Sequence, residues 1–91
     1  EIRKYEQVYI NNATNGARIM TYVIPGKRGS GDILMNGGAA LHASADDTIH
    51  ILCFCNVDAE DLDKHEPIIV HTHLNNQIEE RLLYNEELAR G

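Results

Sequence analysis

Arg18, Thr21 and Tyr22 are the residues with the clearest capacity for chemistry, within Asn15-Gly16-Ala17-Arg18-Ile19-Met20-Thr21-Tyr22. Arg18 is a cation among apolar neighbours in a β-prone run, and in an extended chain Tyr22 lies on its face at i+4. A planar guanidinium suits bidentate capture of a carboxylate, and a phenol can pass a proton. The same pattern also fits an edge-strand arginine lying along apolar surface beside a core tyrosine. A second group is Asn36-Gly37-Gly38-Ala39-Ala40. Two glycines before a short helical turn leave backbone N–H groups free and let an anion approach; glycine pairs also mark ordinary turns. The third group is Cys53, Cys55, His65, His71 and His73. Zinc sites favour Cys-x-x-Cys spacing in paired loops, which is absent here, so buried thiols and surface imidazoles are expected and no metal.

Mainly β structure must position these groups. Val8-Tyr9-Ile10 reads as a strand, stopped by the polar cluster from Asn11 to Gly16. Asn15-Gly16 between two β-prone runs is a strong hairpin signal. The next strand runs over Ala17 to Ile24 and ends at Pro25-Gly26; Lys27 to Gly31 is a basic loop. Asp32 to Met35 reads as a short strand, Gly38 to His42 as a single helical turn, Ser44 to Asp47 as a turn, and Thr48 to Phe54 as the most apolar strand. Asp58 to Lys64 has acids early and Lys late, the polarity of a short helix, and Pro67 halts it. Ile68-Ile69-Val70 resumes as a strand, Asn75-Asn76 is a turn, and Gln77 to Arg90 suggests an amphipathic helix through Ile78, Leu82, Leu83 and Leu88. The expected organisation is an incomplete barrel over residues 1–76 and a helical tail over 77–91.

Bulk properties narrow the function classes. The 91 residues make one small domain, with 43% apolar content and few aromatics. A lone chain of this size buries only roughly 60–65% of its surface, so a partner subunit is unsurprising. A net charge of −6 argues against nucleic acid, which wants a basic stripe. No apolar run approaches the roughly 18 residues that span a bilayer. Cys53 and Cys55, two residues apart in an extended run, sit at the edge of disulfide geometry; reduced thiols in a cytoplasmic protein are expected. The start at Glu1 rather than Met suggests a truncated or processed product.

Taken together, these segments resemble one family. Asn15-Gly16-Ala17-Arg18 followed by Thr21-Tyr22-Val23-Ile24 is similar to the N-G-x-R-x-x-T-Y segment of the pyruvoyl-dependent aspartate 1-decarboxylases. Arg28-Gly29-Ser30-Gly31, Asn36 to Ala40, an apolar strand from Ile49 and His65-Glu66-Pro67 follow at the family's spacing. The resemblance covers about Glu6 to Asn76.

That resemblance implies decarboxylation of L-aspartate to β-alanine and carbon dioxide, for pantothenate and coenzyme A synthesis. It implies a precursor that cuts itself at a Gly-Ser bond, the serine becoming a pyruvoyl group in place of pyridoxal phosphate. The substrate amine forms a Schiff base with this ketone. The implied fold is a double-psi β-barrel, and the implied assembly a homotetramer, with an N-terminal β chain from the same precursor and active sites between subunits. A maturation partner is left open.

By the same resemblance, Arg18 matches the arginine holding a substrate carboxylate, and Thr21 the threonine implicated in self-cleavage. Tyr22 matches the tyrosine that reprotonates the product, and Asn36 the asparagine lining the cleavage site. Gly37, Gly38 and Ala39 match the turn whose N–H groups meet the carboxylate. This sequence departs from the family at Gly38, where alanine is usual, at Asp46-Asp47, where Gly-Asp is usual, and at His50, in a strand normally of Ile and Val. The family's substrate lysine, cleavage site and pyruvoyl serine would all precede Glu1, and neither Ser30 nor Ser44 sits in the right context to substitute. These residues alone are therefore expected not to decarboxylate. The missing serine, with Gly38, Asp46 and His50, leaves a non-catalytic double-psi barrel that binds or regulates as the alternative.

Overall fold

The computed structural model describes residues 2–83. Their backbone is mainly β, with antiparallel strands and short 3-10 turns. The strands are β1 (Gln7–Asn12), β2 (Arg18–Tyr22), β3 (Ile49–Leu52), β4 (Ile68–Thr72) and β5 (Ile78–Leu83). They fall into two compact units. Of the described residues, one unit comprises 2–27 together with Ile33–Cys55; the other comprises Arg28–Asp32 and 56–83.

The first unit is a three-stranded sheet in the order β2-β1-β3. β1 takes the centre because Val8, Ile10 and Asn12 alternate inward and are its buried residues. The hairpin to β2 is closed by Asn12 N–H donating to the Ala17 carbonyl (2.7 Å) and Gly16 N–H donating to the Asn12 carbonyl (2.8 Å). Its register sets Ile10 opposite Ile19, Val8 opposite Thr21 and Asn11 opposite Arg18. On the other side of β1, Ile10 faces Ile51 and Asn11 faces His50. The Val8–Ile10 face collects Ile19, Thr21 and Ile51, whereas Tyr9 and Asn11 share theirs with Arg18, Met20, Tyr22 and His50.

Asn12 fastens the loops at the end of this sheet. Its Nδ2 donates to the His42 carbonyl (3.1 Å) and to Asp47 Oδ2 (2.8 Å), while its Oδ1 accepts the N–H groups of Thr14 (2.9 Å) and Asn15 (3.2 Å). Asp47 Oδ2 also accepts the Ser44 N–H at 2.8 Å. These two hydrogen bonds, that from Asn12 first, hold the Asp47 carboxyl below its ordinary range. Asp46 adopts a φ of 73°, the left-handed conformation, at the position where glycine was expected from the resemblance.

The second unit is the β4–β5 hairpin, with a bulge between His71 and Thr72. Gly31, at a φ of 74°, belongs to this unit, and a Cβ there would run into the Asn75 carbonyl. Asn76 Nδ2 donates to the Gly31 carbonyl at 2.5 Å.

Several expectations need correction. The helical tail expected over 77–91 begins instead as β5, because Ile68–Thr72 offers a ladder to residues that would otherwise form a short isolated helix; residues 84–91 lie outside those described. Asp32 to Met35 has no ladder partner among the described residues, and Ile33 and Leu34 are exposed. The thiols expected to be buried are free and exposed, because β3 ends at Leu52, before either of them. His73 is exposed as expected, but His71 is half-buried in β4, opposite Glu80. The helical turns are of the 3-10 type, over Gly37–His42 and Ala59–Lys64.

Candidate functional site

The hairpin register places Arg18 and Tyr22 on one exposed face of β2. Arg18 does not stand free there. Its guanidinium carbon lies 4.9 Å from the centroid of the Tyr9 ring, whose other contact is an edge-on packing with Phe54 (centroids 5.3 Å apart, planes at 75°). The arginine is thus carried on an aromatic support while its N–H fork stays open to solvent. Tyr22 is 59% exposed, so its phenol is accessible. The edge-strand reading of Arg18 and the carboxylate-binding reading are compatible here, since β2 is an edge strand of its sheet.

Thr21 is half-buried and points the other way, to the face that carries Ile19. That face is where the glycine-bearing 3-10 turn packs against β2. Between them is a shallow apolar concavity lined by Ile10, Ile19, Met35, Asn12 and His42. Asn36 precedes the turn, is exposed and makes no side-chain cap. Gly37 takes a φ of 59°, and a Cβ at Gly37 or Gly38 would meet nothing within 4 Å, so this backbone is open to an approaching group. The structure therefore sets Arg18 and Tyr22 on one face of β2 and Thr21 on the other, the face of Ile19, whose concavity reaches His42 at the end of the glycine-bearing turn.

Tyr9 and Asn11 escaped the sequence reading. Both share the Arg18 face; a two-residue turn at Asn15-Gly16 would have set Ala13 across from Arg18, whereas the observed four-residue loop, 13–16, sets Asn11 there. Among the described residues, the ligand-type side chains whose donor atoms converge within 4.8 Å are Asp58, Glu60 and Asp61, all exposed; Cys53, Cys55, His65, His71 and His73 form no such group. Although Cys53 is exposed as a residue, local desolvation of its sulfur first and the Glu6 charge second push its thiol up.

A small antiparallel β domain that offers an arginine and a phenol on one face and an open glycine turn on the other defines a candidate site for a small anionic substrate. Residues 1–79 match the family described as aspartate decarboxylase, and the chain belongs to that family. It is 48% identical over 77 residues to the aspartate 1-decarboxylase of Alkalilimnicola ehrlichii, covering 85% of this chain and 61% of that protein. The aspartate 1-decarboxylase of Clostridium acetobutylicum is 46% identical with the same coverage, and that of Listeria welshimeri 47% identical over 81% of this chain and 58% of its own. The chain spans about three fifths of the length of these relatives.

Proposed function

We propose that this chain forms part of a pyruvoyl-dependent aspartate 1-decarboxylase, which converts L-aspartate to β-alanine and carbon dioxide for pantothenate synthesis in the cytoplasm. The observation that carries this is the shared open face of Arg18 and Tyr22, in a chain of the aspartate decarboxylase family. In this reading the two units belong to a double-psi β-barrel that the N-terminal β chain of the same precursor completes. The division of the candidate residues between two faces of β2 supports a homotetramer whose sites lie between copies, each copy lending its Arg18 face to one site and its glycine turn to another.

Arg18 holds a substrate carboxylate through its N–H fork, seated by the Tyr9 ring. The open N–H groups of Gly37, Gly38 and Ala39 offer further donors with no side chain in the way at either glycine. The residues present fit a pyruvoyl group. The Asn36 amide is not engaged in capping, and Asn36 and Thr21 would hold it beside the open glycine turn. When bound, that group supplies a ketone that accepts the electron pair left as carbon dioxide departs. Tyr22, exposed on the opposite side of the strand from Thr21, delivers a proton to the carbon that has lost its carboxylate.

Replacing Tyr22 by Phe in the full-length protein tests this. The expected result is loss of β-alanine formation with L-aspartate binding retained. Undiminished turnover in Tyr22→Phe overturns the proton role.

A further inference from the structure

His50 stands out on the sheet that carries Arg18. Asn11 of the central strand is paired with Arg18 on one side and with His50 on the other. Directly opposed residues of antiparallel strands project from the same face, so Arg18, Asn11 and His50 form one row across β2, β1 and β3. Two inter-strand spacings separate the outer residues, roughly 9–10 Å between backbones. From one end the Arg18 guanidinium leans onto Tyr9, one pair along the same face, and an imidazole reaching in from the other end brings a second donor to that exposed face. Both outer residues are exposed.

A second observation points to the same place. The Oδ1 of Asn11 is buried and has no hydrogen-bond partner. A buried acceptor left without a donor is unfavourable and calls for an N–H to reach it. No donor reaches it in the structure; of the two donor-bearing side chains paired with Asn11, Arg18 is engaged on the Tyr9 ring, which leaves the His50 imidazole to turn toward it. A ring that donates one N–H to Asn11 donates through its other nitrogen, into the space shared with Arg18, only as the imidazolium, and the clamp is that form of the ring.

We propose that His50 is a specificity-determining residue of this site. With Arg18 it clamps one substrate carboxylate from opposite ends of the row, and Asn11 is the positioning residue that fixes the imidazole. The inference deepens the decarboxylase reading and rests on it for the identity of the substrate. The clamp's ligand chemistry, a carboxylate, follows from two donors in one row; that the carboxylate belongs to a small dicarboxylate comes from the decarboxylase reading.

The test uses the full-length protein, with L-aspartate as substrate and succinate as an unreactive dicarboxylate. His50→Ile is expected to raise KM for L-aspartate roughly tenfold, the size of one lost charge-assisted hydrogen bond, with kcat little changed. His50→Gln, which keeps an N–H, recovers most of that loss. Asn11→Leu raises KM, and adding it to His50→Ile does nothing more, because it acts through the ring. In the unsubstituted protein, the His50 ring resonances shift on adding succinate. An unchanged KM in folded His50→Ile, or His50 resonances indifferent to succinate, overturns the clamp. An unsubstituted protein that forms no β-alanine overturns the decarboxylase reading instead, and the succinate titration then judges the clamp alone.

Discussion

The guanidinium of Arg18 is seated on the ring of Tyr9, 4.9 Å from its centroid, across the β1–β2 ladder. An arginine on an edge strand otherwise samples many rotamers, and fixing one is part of the cost of binding an anion. Tyr9 bears that cost in advance. Tyr9→Leu is expected to raise the Kd for succinate about threefold to tenfold, in line with roughly 0.5–1 kcal/mol for an exposed cation–π contact and somewhat more when partly desolvated. Tyr9→Phe keeps the ring and leaves affinity near that of the unsubstituted protein. Calorimetric titration of both variants distinguishes a ring effect from a hydroxyl effect.

Asn12 is 4% exposed and joins the hairpin loop to the segments at His42 and Ser44–Asp47. Asn12→Ala leaves the N–H groups of Thr14 and Asn15 without their acceptor, a change expected to cost about 1–3 kcal/mol in urea denaturation. Its effect depends on pH through Asp47. The folded carboxyl is held below its ordinary value, so its contribution is present above the usual aspartate range and is lost as pH falls through the lower folded value. The gap in urea midpoint between the two proteins therefore narrows as pH is lowered below about 4. A gap of constant size across that window removes Asp47 from the account.

Asp46 carries a left-handed backbone without being glycine. The conformation disfavours L side chains by roughly 1–2 kcal/mol, less for Asp, whereas glycine adopts it freely and gives up more chain entropy. Asp46→Gly is expected to change stability by less than about 1 kcal/mol. Asp46→Val, β-branched, lowers it by more than that. Thermal midpoints of the pair measure how much strain the turn before β3 holds.

Cys53 is expected to be a slow nucleophile at neutral pH, because burial and then the neighbouring Glu6 favour its protonated form. In a Cys55→Ser background, its alkylation by iodoacetamide gains speed only at alkaline pH. Glu6→Gln moves the midpoint of that rate profile downward; an unmoved midpoint excludes Glu6 as a cause.

How much of this was legible in the sequence depended on the range of the interactions involved. The β-prone runs at Val8-Tyr9-Ile10 and over Ala17 to Ile24 gave both strands of the hairpin, the second shorter in the structure at Arg18–Tyr22, and Asn15-Gly16 lay in the loop joining them. Local chemistry also marked the turns at Gly38 to His42 and Asp58 to Lys64, although their tight 3-10 geometry does not follow from composition. Ile78–Leu83 misled because its spacing allows a helical stripe; pairing with β4, which no local signal announces, made it a strand. Arg18, Thr21, Tyr22 and Asn36 were all visible as residue types. That Thr21 faces away from Arg18 and Tyr22 follows from strand alternation, but that Asn11 and His50 share the Arg18 row does not, because it depends on the pairing register. The bond from Asn12 to Asp47 joins positions 35 apart in the chain and has no local signature.

The Asn12 hub also bears on how the protein ages. Hydrolysis of a side-chain amide, a slow chemical change of asparagine, would turn Nδ2 of Asn12 into a carboxylate oxygen. The acceptor half of the hub, serving Thr14 and Asn15, survives that change. The donor half does not: the new anion faces the Asp47 carboxylate and the His42 carbonyl, two groups that repel it. An aged molecule thus keeps its hairpin loop closed while Asn12's own hold on the segments at His42 and Asp47 is lost, leaving Asn15 Nδ2 on the His42 carbonyl (3.0 Å) and the Ala13 N–H on the Thr48 carbonyl (2.8 Å). One uncatalysed reaction at one amide thus shifts the fastening of these segments from Asn12 to its loop neighbours Ala13, Thr14 and Asn15.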